Sequence, residues 1–146
     1  AVASDFIAGA AEQLVVEGHE RGGELLLVEG QGAVTHPAYS GVTLGLIHGS
    51  APHAFVLCHE AGTTEVEGYP GHPLLPLAEL VELHERISLP ARKASVAAIV
   101  LNTRVLDEPA ARAAIAAAEA ETGLVADDVV RFGADRVLDA VLAALD

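Results

Sequence analysis

Three short apolar runs recur along the chain, and each ends abruptly at polar residues. The runs are residues 25–28 before Glu29, residues 54–58 before His59 and Glu60, and residues 96–101 before Asn102. Unbroken apolar runs of this length are typical of strands that are covered on both faces. We therefore predict three buried strands, together with a weaker fourth strand at residues 129–132.

Apolar residues at helical spacing fill the intervals around these strands. They predict a helix over residues 4–17 that stops at Gly18, and further helices over residues 76–87, 108–122 and 134–145. Gly123 is placed to close the helix over residues 108–122. Strands that alternate with helices indicate an α/β fold, with a parallel sheet flanked by helices on both faces.

The polar residues that follow the strands are the first candidates for function. In open parallel sheets, ligands bind beyond the carboxyl ends of the strands. We expect the three polar tips to converge on one edge of the sheet. The sequence shows no internal repeat or linker, so residues 1–146 are interpreted as a single α/β domain.

Composition and charge restrict the partners of this domain. Of its 146 residues 51% are apolar, which is enough to bury a core. The 21 acidic and 8 basic residues give a net charge of −13, which repels nucleic acids and anionic membranes. With a single cysteine and no apolar run of about 18 residues, the chain is predicted to be a soluble, cytoplasmic protein that binds small molecules.

Glu29 lies where an apolar run meets a glycine. A carboxylate at the edge of a sheet can hold Mg²⁺ directly or through water. The alternatives are that Glu29 caps a neighbouring helix or pairs with Arg104.

The segment after Glu29 concentrates glycines and hydrogen-bonding side chains. Gly30 and Gly32 would let the backbone approach a ligand. His36 is a candidate acid or base, and Tyr39 and Ser40 supply hydroxyl groups. Ordering so polar a segment costs conformational entropy, which favours a functional role over a simple turn.

The other two polar tips offer complementary chemistry. His59 and Glu60 are candidates for substrate binding because of their position at a strand end. The Asn102 amide could contact the edge of a nucleobase, and Arg104 could bind a phosphate or a carboxylate.

Three segments together resemble the C-terminal domain of the DUF1611 family. They are Leu-Val-Glu-Gly-Gln-Gly, His-Pro-Ala-Tyr-Ser-Gly-Val-Thr-Leu-Gly-Leu-Ile-His-Gly-Ser and Leu-Cys-His-Glu. The resemblance implies a P-loop domain similar to dethiobiotin synthetase, preceded in the family by a Rossmann-like domain. It also implies acyl transfer, because some members are assigned as D-glutamate N-acetyltransferases.

The resemblance also implies roles for individual residues. It places Glu29 at a metal-facing position, lines the site with Gln31, His36, Tyr39 and Ser40, and puts Asn102 where related folds contact a base. The cofactors expected from it are Mg²⁺ with a nucleotide, or acetyl-CoA.

The chain departs from the P-loop pattern in one respect. It contains no Gly-x-x-x-x-Gly-Lys-[Ser/Thr] motif, so it lacks the phosphate-binding loop. Either the chain is a C-terminal fragment of a longer two-domain protein or it has lost nucleotide binding, and the absent initiator Met favours the fragment. A fragment would expose the neighbours of a missing strand, so we expect a homo-oligomer.

Three functions follow as hypotheses. The first is an acyltransferase that acts on an amino acid such as D-glutamate. The second is an ATP-dependent ligase or kinase-like enzyme that activates a carboxylate, and the third is a non-catalytic nucleotide-binding domain.

Overall fold

A computed structural model describes residues 2–30 and 32–146. A short 3₁₀ turn at Ser4–Phe6 precedes the first helix. The helices are α1 Ile7–Glu20, α2 Ser40–Ser50, α3 Leu77–Ser88, α4 Glu108–Thr122, α5 Val129–Phe132 and α6 Asp135–Leu145. The strands are β1 Ala54–Glu60, β2 Ser95–Asn102 and β3 Val125–Asp127.

The described chain divides into two compact units. One contains the residues up to Pro52 together with Ile87–Lys93, and the other contains His53–Arg86 and Ala94–Asp146. Among the described helices, none combines the length and the apolar character that a bilayer-spanning segment needs.

The second unit is built on a parallel sheet of order β1-β2-β3. Leu57, Ile99 and Leu101 form the centre of its core, which α3 and α4 cover with Leu80 and Ile115. Ala98 is fully buried and alternates with Ile99, so it faces the opposite side of the sheet. Helix α6 contacts all three strands. The predicted α/β fold, with a parallel sheet flanked by helices, is confirmed.

The first unit is a close-packed pair of helices, α1 and α2. Glycines in α2 allow the approach, because a Cβ built on Gly45 would lie 2.6 Å from the Ile7 Cγ2 atom. At Gly49 an added Cβ would overlap the Ala8 carbonyl oxygen. These two glycines therefore determine how closely the helices pack.

The strand predicted at residues 25–28 is absent. Residues 26–30 carry no regular secondary structure, and the Leu27 side chain is 87% exposed. An apolar segment becomes a strand only when a neighbour satisfies its backbone hydrogen bonds, and the described residues provide no such neighbour. Glu29 is consequently exposed and does not end a strand.

Two further predictions are wrong, the fourth strand at residues 129–132 and the end of the first helix at Gly18. Residues 129–132 form the helical turn α5, because the Asp128 carboxylate accepts hydrogen bonds from the Val130 and Arg131 N–H groups. The last strand lies earlier, at Val125–Asp127. Helix α1 continues through Gly18 to Glu20, and Gly22 takes the positive φ of 89° in the turn that follows.

Candidate functional site

The polar tips of β1 and β2 meet as the sequence predicts. The two strands pair in parallel with Glu60 opposite Asn102. The Ala61 N–H donates to the Asn102 carbonyl oxygen at 3.0 Å. Two of the three expected tips therefore share one edge of the sheet, while the third, at Glu29, belongs to the other unit.

An ion pair joins the side chains of these two tips. The Arg104 Nη2 atom lies 3.3 Å from Glu60 Oε1, and the side chains are 73% and 41% exposed. Exposed ion pairs contribute only about 0–1 kcal/mol. Arg104 can therefore exchange Glu60 for a carboxylate or phosphate of a ligand at little cost. One interpretation of the sequence paired Arg104 with Glu29, whereas in the structure Arg104 pairs with Glu60.

Asn102 is held by its own turn. Its Oδ1 atom accepts a hydrogen bond from the Arg104 N–H at 3.2 Å. The acceptor end of the amide is thus occupied, and the exposed side chain offers its NH₂ donors to a ligand. This suits an acceptor on a heteroaromatic ring or a phosphate oxygen.

His59 lies half-buried beside this edge. Burial lowers its pKa below the ordinary 6.5, against the opposing attraction of the Glu121 and Glu60 carboxylates. His59 is therefore neutral at pH 7 and can accept a proton or a hydrogen bond.

Replacing His59 by Gln should remove one source of acid sensitivity. The unfolded chain takes up a proton at His59 near the ordinary pKa of 6.5, whereas the folded protein does so only at lower pH. The stability that neutral His59 contributes is therefore complete above the unfolded-state pKa of 6.5, and it is lost as the pH falls from there toward the lower folded-state pKa. We expect His59→Gln to lose less stability than the wild type between pH 7.5 and 5.5 in urea unfolding. Equal losses in both proteins would contradict this account.

The other candidate residues form a turn before α2 in the first unit. The rings of His36 and Tyr39 stack with centroids 4.3 Å apart. The His36 carbonyl oxygen accepts hydrogen bonds from the N–H groups of Tyr39 and Ser40. The structure therefore brings His36, Tyr39 and Ser40 together, with Ser40 opening the helix.

The hydrogen bonding of His36 determines its tautomer. The Ala38 N–H donates to the His36 Nδ1 atom at 3.1 Å. An N–H donor requires an unprotonated ring nitrogen, so the proton of the neutral ring lies on Nε2. In this tautomer Nδ1 is a hydrogen-bond acceptor and Nε2–H is a donor.

Thr43 and Gly32 set the shape of this turn. The Thr43 hydroxyl donates to the Gly32 carbonyl oxygen at 2.6 Å. A Cβ on Gly32 would lie 2.7 Å from the Tyr39 Cβ, whereas one on Gly30 would meet no atom within 4 Å. Gly32 is therefore needed for packing and Gly30 leaves an open approach. Gln31, also predicted at the site, lies outside the described residues.

The predicted metal site would rest on a single carboxylate. Within residues 2–30 and 32–146, no three His, Cys, Asp or Glu residues are grouped as metal ligands. Mg²⁺ usually keeps several waters and binds one or two carboxylates together with substrate phosphates. Glu29 supplies one such carboxylate, and its role as a Mg²⁺ ligand stays a prediction.

Three buried side chains, which the sequence does not single out, support these residues. Thr43 anchors the His36 turn, while Thr103 and Asp128 lie beneath the Asn102 tip and hydrogen-bond to each other. The partners are 11 and 25 residues apart, so no local pattern links them. Only the helix-capping role of Asp128 had a sequence signal.

Comparison with known proteins agrees with this architecture. Residues 1–138 match the family described as "Domain of unknown function (DUF1611_C) P-loop domain". A crystal structure of a DUF1611 family protein from Anabaena variabilis is 46% identical, with a TM-score of 0.90 over 97% of this chain and 42% of that one.

Two relatives carry a functional name. A D-glutamate N-acetyltransferase from Tritonibacter scottomollicae is 38% identical over 98% of this chain and 43% of its own length. A D-glutamate N-acetyltransferase from a Pseudoalteromonas species is 48% identical over 46% of this chain and 20% of its own length. The chain thus spans less than half the length of these relatives. It belongs to the DUF1611 family, whose C-terminal P-loop domain it represents.

Proposed function

We propose that the protein transfers an acetyl group from acetyl-CoA to the amine of D-glutamate. The observation that carries this proposal is the 38% identity, over 98% of the chain, to a D-glutamate N-acetyltransferase. The reaction joins the amine nitrogen to the acetyl carbon and breaks the carbon–sulfur bond. The ammonium group of D-glutamate loses one proton to become a nucleophilic amine and a second proton on acylation. The CoA sulfur takes up one of these protons, and the other passes through a base to solvent.

The edge formed by β1 and β2 suits the charges of these substrates. D-glutamate has two carboxylates and an ammonium group, and acetyl-CoA has phosphates. In a chain with a net charge of −13, anions need a local cation, which Arg104 supplies beside the Asn102 amide. We assign Asn102 and Arg104 to the cofactor. The cofactor roles of Gln31, and of Gly30 and Gly32 in the first unit, stay predictions.

Glu60 and His59 are assigned to the amino acid. When Arg104 leaves Glu60 and binds an anion of the ligand, the Glu60 carboxylate becomes available to the substrate ammonium. His59, which burial keeps neutral, is then suited to accept the proton that the amine loses.

The turn before α2 supplies hydrogen-bond donors. His36, Tyr39 and Ser40 stay candidates for catalysis within the first unit, where a His36 Nε2–H donor would stabilise developing negative charge. Glu29 is assigned to Mg²⁺ only if a nucleotide is used, and no step of acetyl transfer depends on it.

Product analysis on the complete protein tests this function. We expect one N-acetyl-D-glutamate and one CoA to form together from D-glutamate and acetyl-CoA. ADP formation that requires a carboxylate substrate would instead establish the ATP-dependent ligase or kinase-like activity, which the P-loop description favours. Binding of ATP or acetyl-CoA without any turnover would establish the non-catalytic alternative.

A further inference from the structure

A buried carboxylate lies directly beneath the tip of β2. Asp128 is only 5% exposed and Thr103 is completely buried. Asp128 Oδ2 accepts hydrogen bonds from the Thr103 N–H at 3.0 Å and from its Oγ1 hydroxyl at 2.5 Å. Asp128 therefore holds both the main chain and the side chain of the residue between Asn102 and Arg104.

The other oxygen of the same carboxylate fixes the start of α5. Asp128 Oδ1 accepts from the N–H groups of Val130 at 3.1 Å and Arg131 at 3.0 Å. One side chain thus joins the end of β2 to the turn that follows β3. The two segments are 25 residues apart in the sequence.

Arg131 adds a second connection between the same two segments. Its Nη2 atom donates to the Thr103 carbonyl oxygen at 3.2 Å and to the Leu106 carbonyl oxygen at 3.0 Å. The loop after β2 is therefore held through backbone atoms on both sides of Arg104. The Arg104 side chain itself stays exposed.

A contribution to stability does not by itself explain why a carboxylate, that of Asp128, is buried beneath the tip of β2. Burial opposes ionisation of Asp128, but the hydrogen bonds from Thr103, Arg131 and Val130 outweigh it and bring its pKa below the ordinary value. Well-packed apolar residues commonly stabilise an interior as well as buried charges do. What the carboxylate adds is orientation, since its bonds to Thr103 fix one conformation of the tip.

We propose that Asp128, acting through Thr103 and supported by Arg131, is a positioning residue that orients Asn102 and Arg104 toward the ligand. This inference rests on the proposed function, in which Asn102 and Arg104 bind acetyl-CoA. Loss of the contact should weaken cofactor binding more than it slows the chemical step, because Asp128 does not touch the reacting atoms.

Three substitutions in the complete protein separate positioning from folding. Thr103→Ser keeps both hydrogen bonds to Asp128, Thr103→Val removes the hydroxyl bond at nearly constant shape, and Asp128→Asn weakens the whole set. We expect Thr103→Val and Asp128→Asn to raise the KM for acetyl-CoA about tenfold with little change in kcat. Thr103→Ser should stay near the wild type.

Asp107→Ala is the control for a general loss of stability. Asp107 lies in the same loop, is exposed, and caps α4 by accepting from the Ala110 N–H at 2.9 Å. It should lower the unfolding midpoint and leave the KM for acetyl-CoA unchanged. If Thr103→Val and Asp128→Asn behave like Asp107→Ala, the positioning role is wrong.

Amide hydrogen exchange keeps the inference testable if D-glutamate is not acetylated. Measured by NMR, the Thr103 N–H should exchange slowly in the wild type and much faster in Asp128→Asn, with β1 amides unaffected. Fast exchange in Asp128→Asn would support the positioning role even where the proposed function fails. Unchanged exchange at Thr103 would overturn that role even where acetyl transfer is established.

Discussion

Replacing His36 by Asn is expected to lower kcat for acetyl transfer to D-glutamate about 100-fold. The Asn Oδ1 atom can accept from the Ala38 N–H as the His36 Nδ1 atom does at 3.1 Å, so the turn should keep its shape. What is lost is the donor at the Nε2 position. Steady-state kinetics of the complete protein, with thiol detection of released CoA, measures the effect.

His36→Gln separates a donor from a base at this position. The Gln amide nitrogen reaches roughly the place of Nε2, so this variant should keep more of the wild-type kcat than His36→Asn does. Equal, large losses in both variants would favour a proton-accepting role for His36. Full activity of His36→Asn would show that the ring takes no part in the reaction.

Replacing Gly49 by Ala should have the largest effect on stability. The added methyl group would overlap the Ala8 carbonyl oxygen, and its next neighbours, the Ala8 C and Cα atoms, also belong to the backbone. Because backbone atoms cannot move aside as a side chain can, α1 and α2 must separate. We expect a loss of about 2–3 kcal/mol, even though Ala favours a helix by up to about 1 kcal/mol over Gly.

Gly9→Ala is the matched control for that substitution. Gly9 lies in α1, the facing helix, and a Cβ built there would meet no atom within 4 Å. It should raise stability slightly through helix propensity. Urea unfolding, with hydrogen exchange of α1 and α2 peptides, compares the two variants. A Gly49→Ala protein as stable as Gly9→Ala would refute the close packing of α1 and α2.

Local signals predicted most elements of the second unit. The helix predicted over residues 108–122 is α4, because the Asp107 cap and the positive φ of 70° at Gly123 define its two ends. Unbroken apolar runs predicted β1 and β2 to within one or two residues. Their convergence followed from the parallel order alone.

The wrong strand predictions have two causes: a strand neighbour that is not present in the described part of the chain, and a helix cap that outweighs strand propensity. Leu25, Leu26, Leu27 and Val28 have the composition of a buried strand, but a strand also needs a neighbouring strand, which the described residues do not supply. Val129 and Val130 favour a strand by propensity, yet the Asp128 carboxylate caps a helical turn there. Propensity is a weak guide where a single buried side chain satisfies the backbone.

The sequence pointed to the candidate residues at the strand ends but not to the buried residues that support them. His59, Glu60, Asn102 and Arg104 follow apolar runs, so strand ends identified them. Asp128 and Thr103 become visible only once the fold brings the end of β2 beside the turn after β3. The tautomer of His36 likewise depends on one hydrogen bond from Ala38.

Hydrogen exchange of the complete protein with and without acetyl-CoA tests the central claim, that the edge formed by β1 and β2 binds the cofactor. Acetyl-CoA should slow exchange in peptides that contain Ala61 and Arg104, and leave the C-terminal half of α4 unchanged. Binding of acetyl-CoA with protection confined to other segments would contradict the claim.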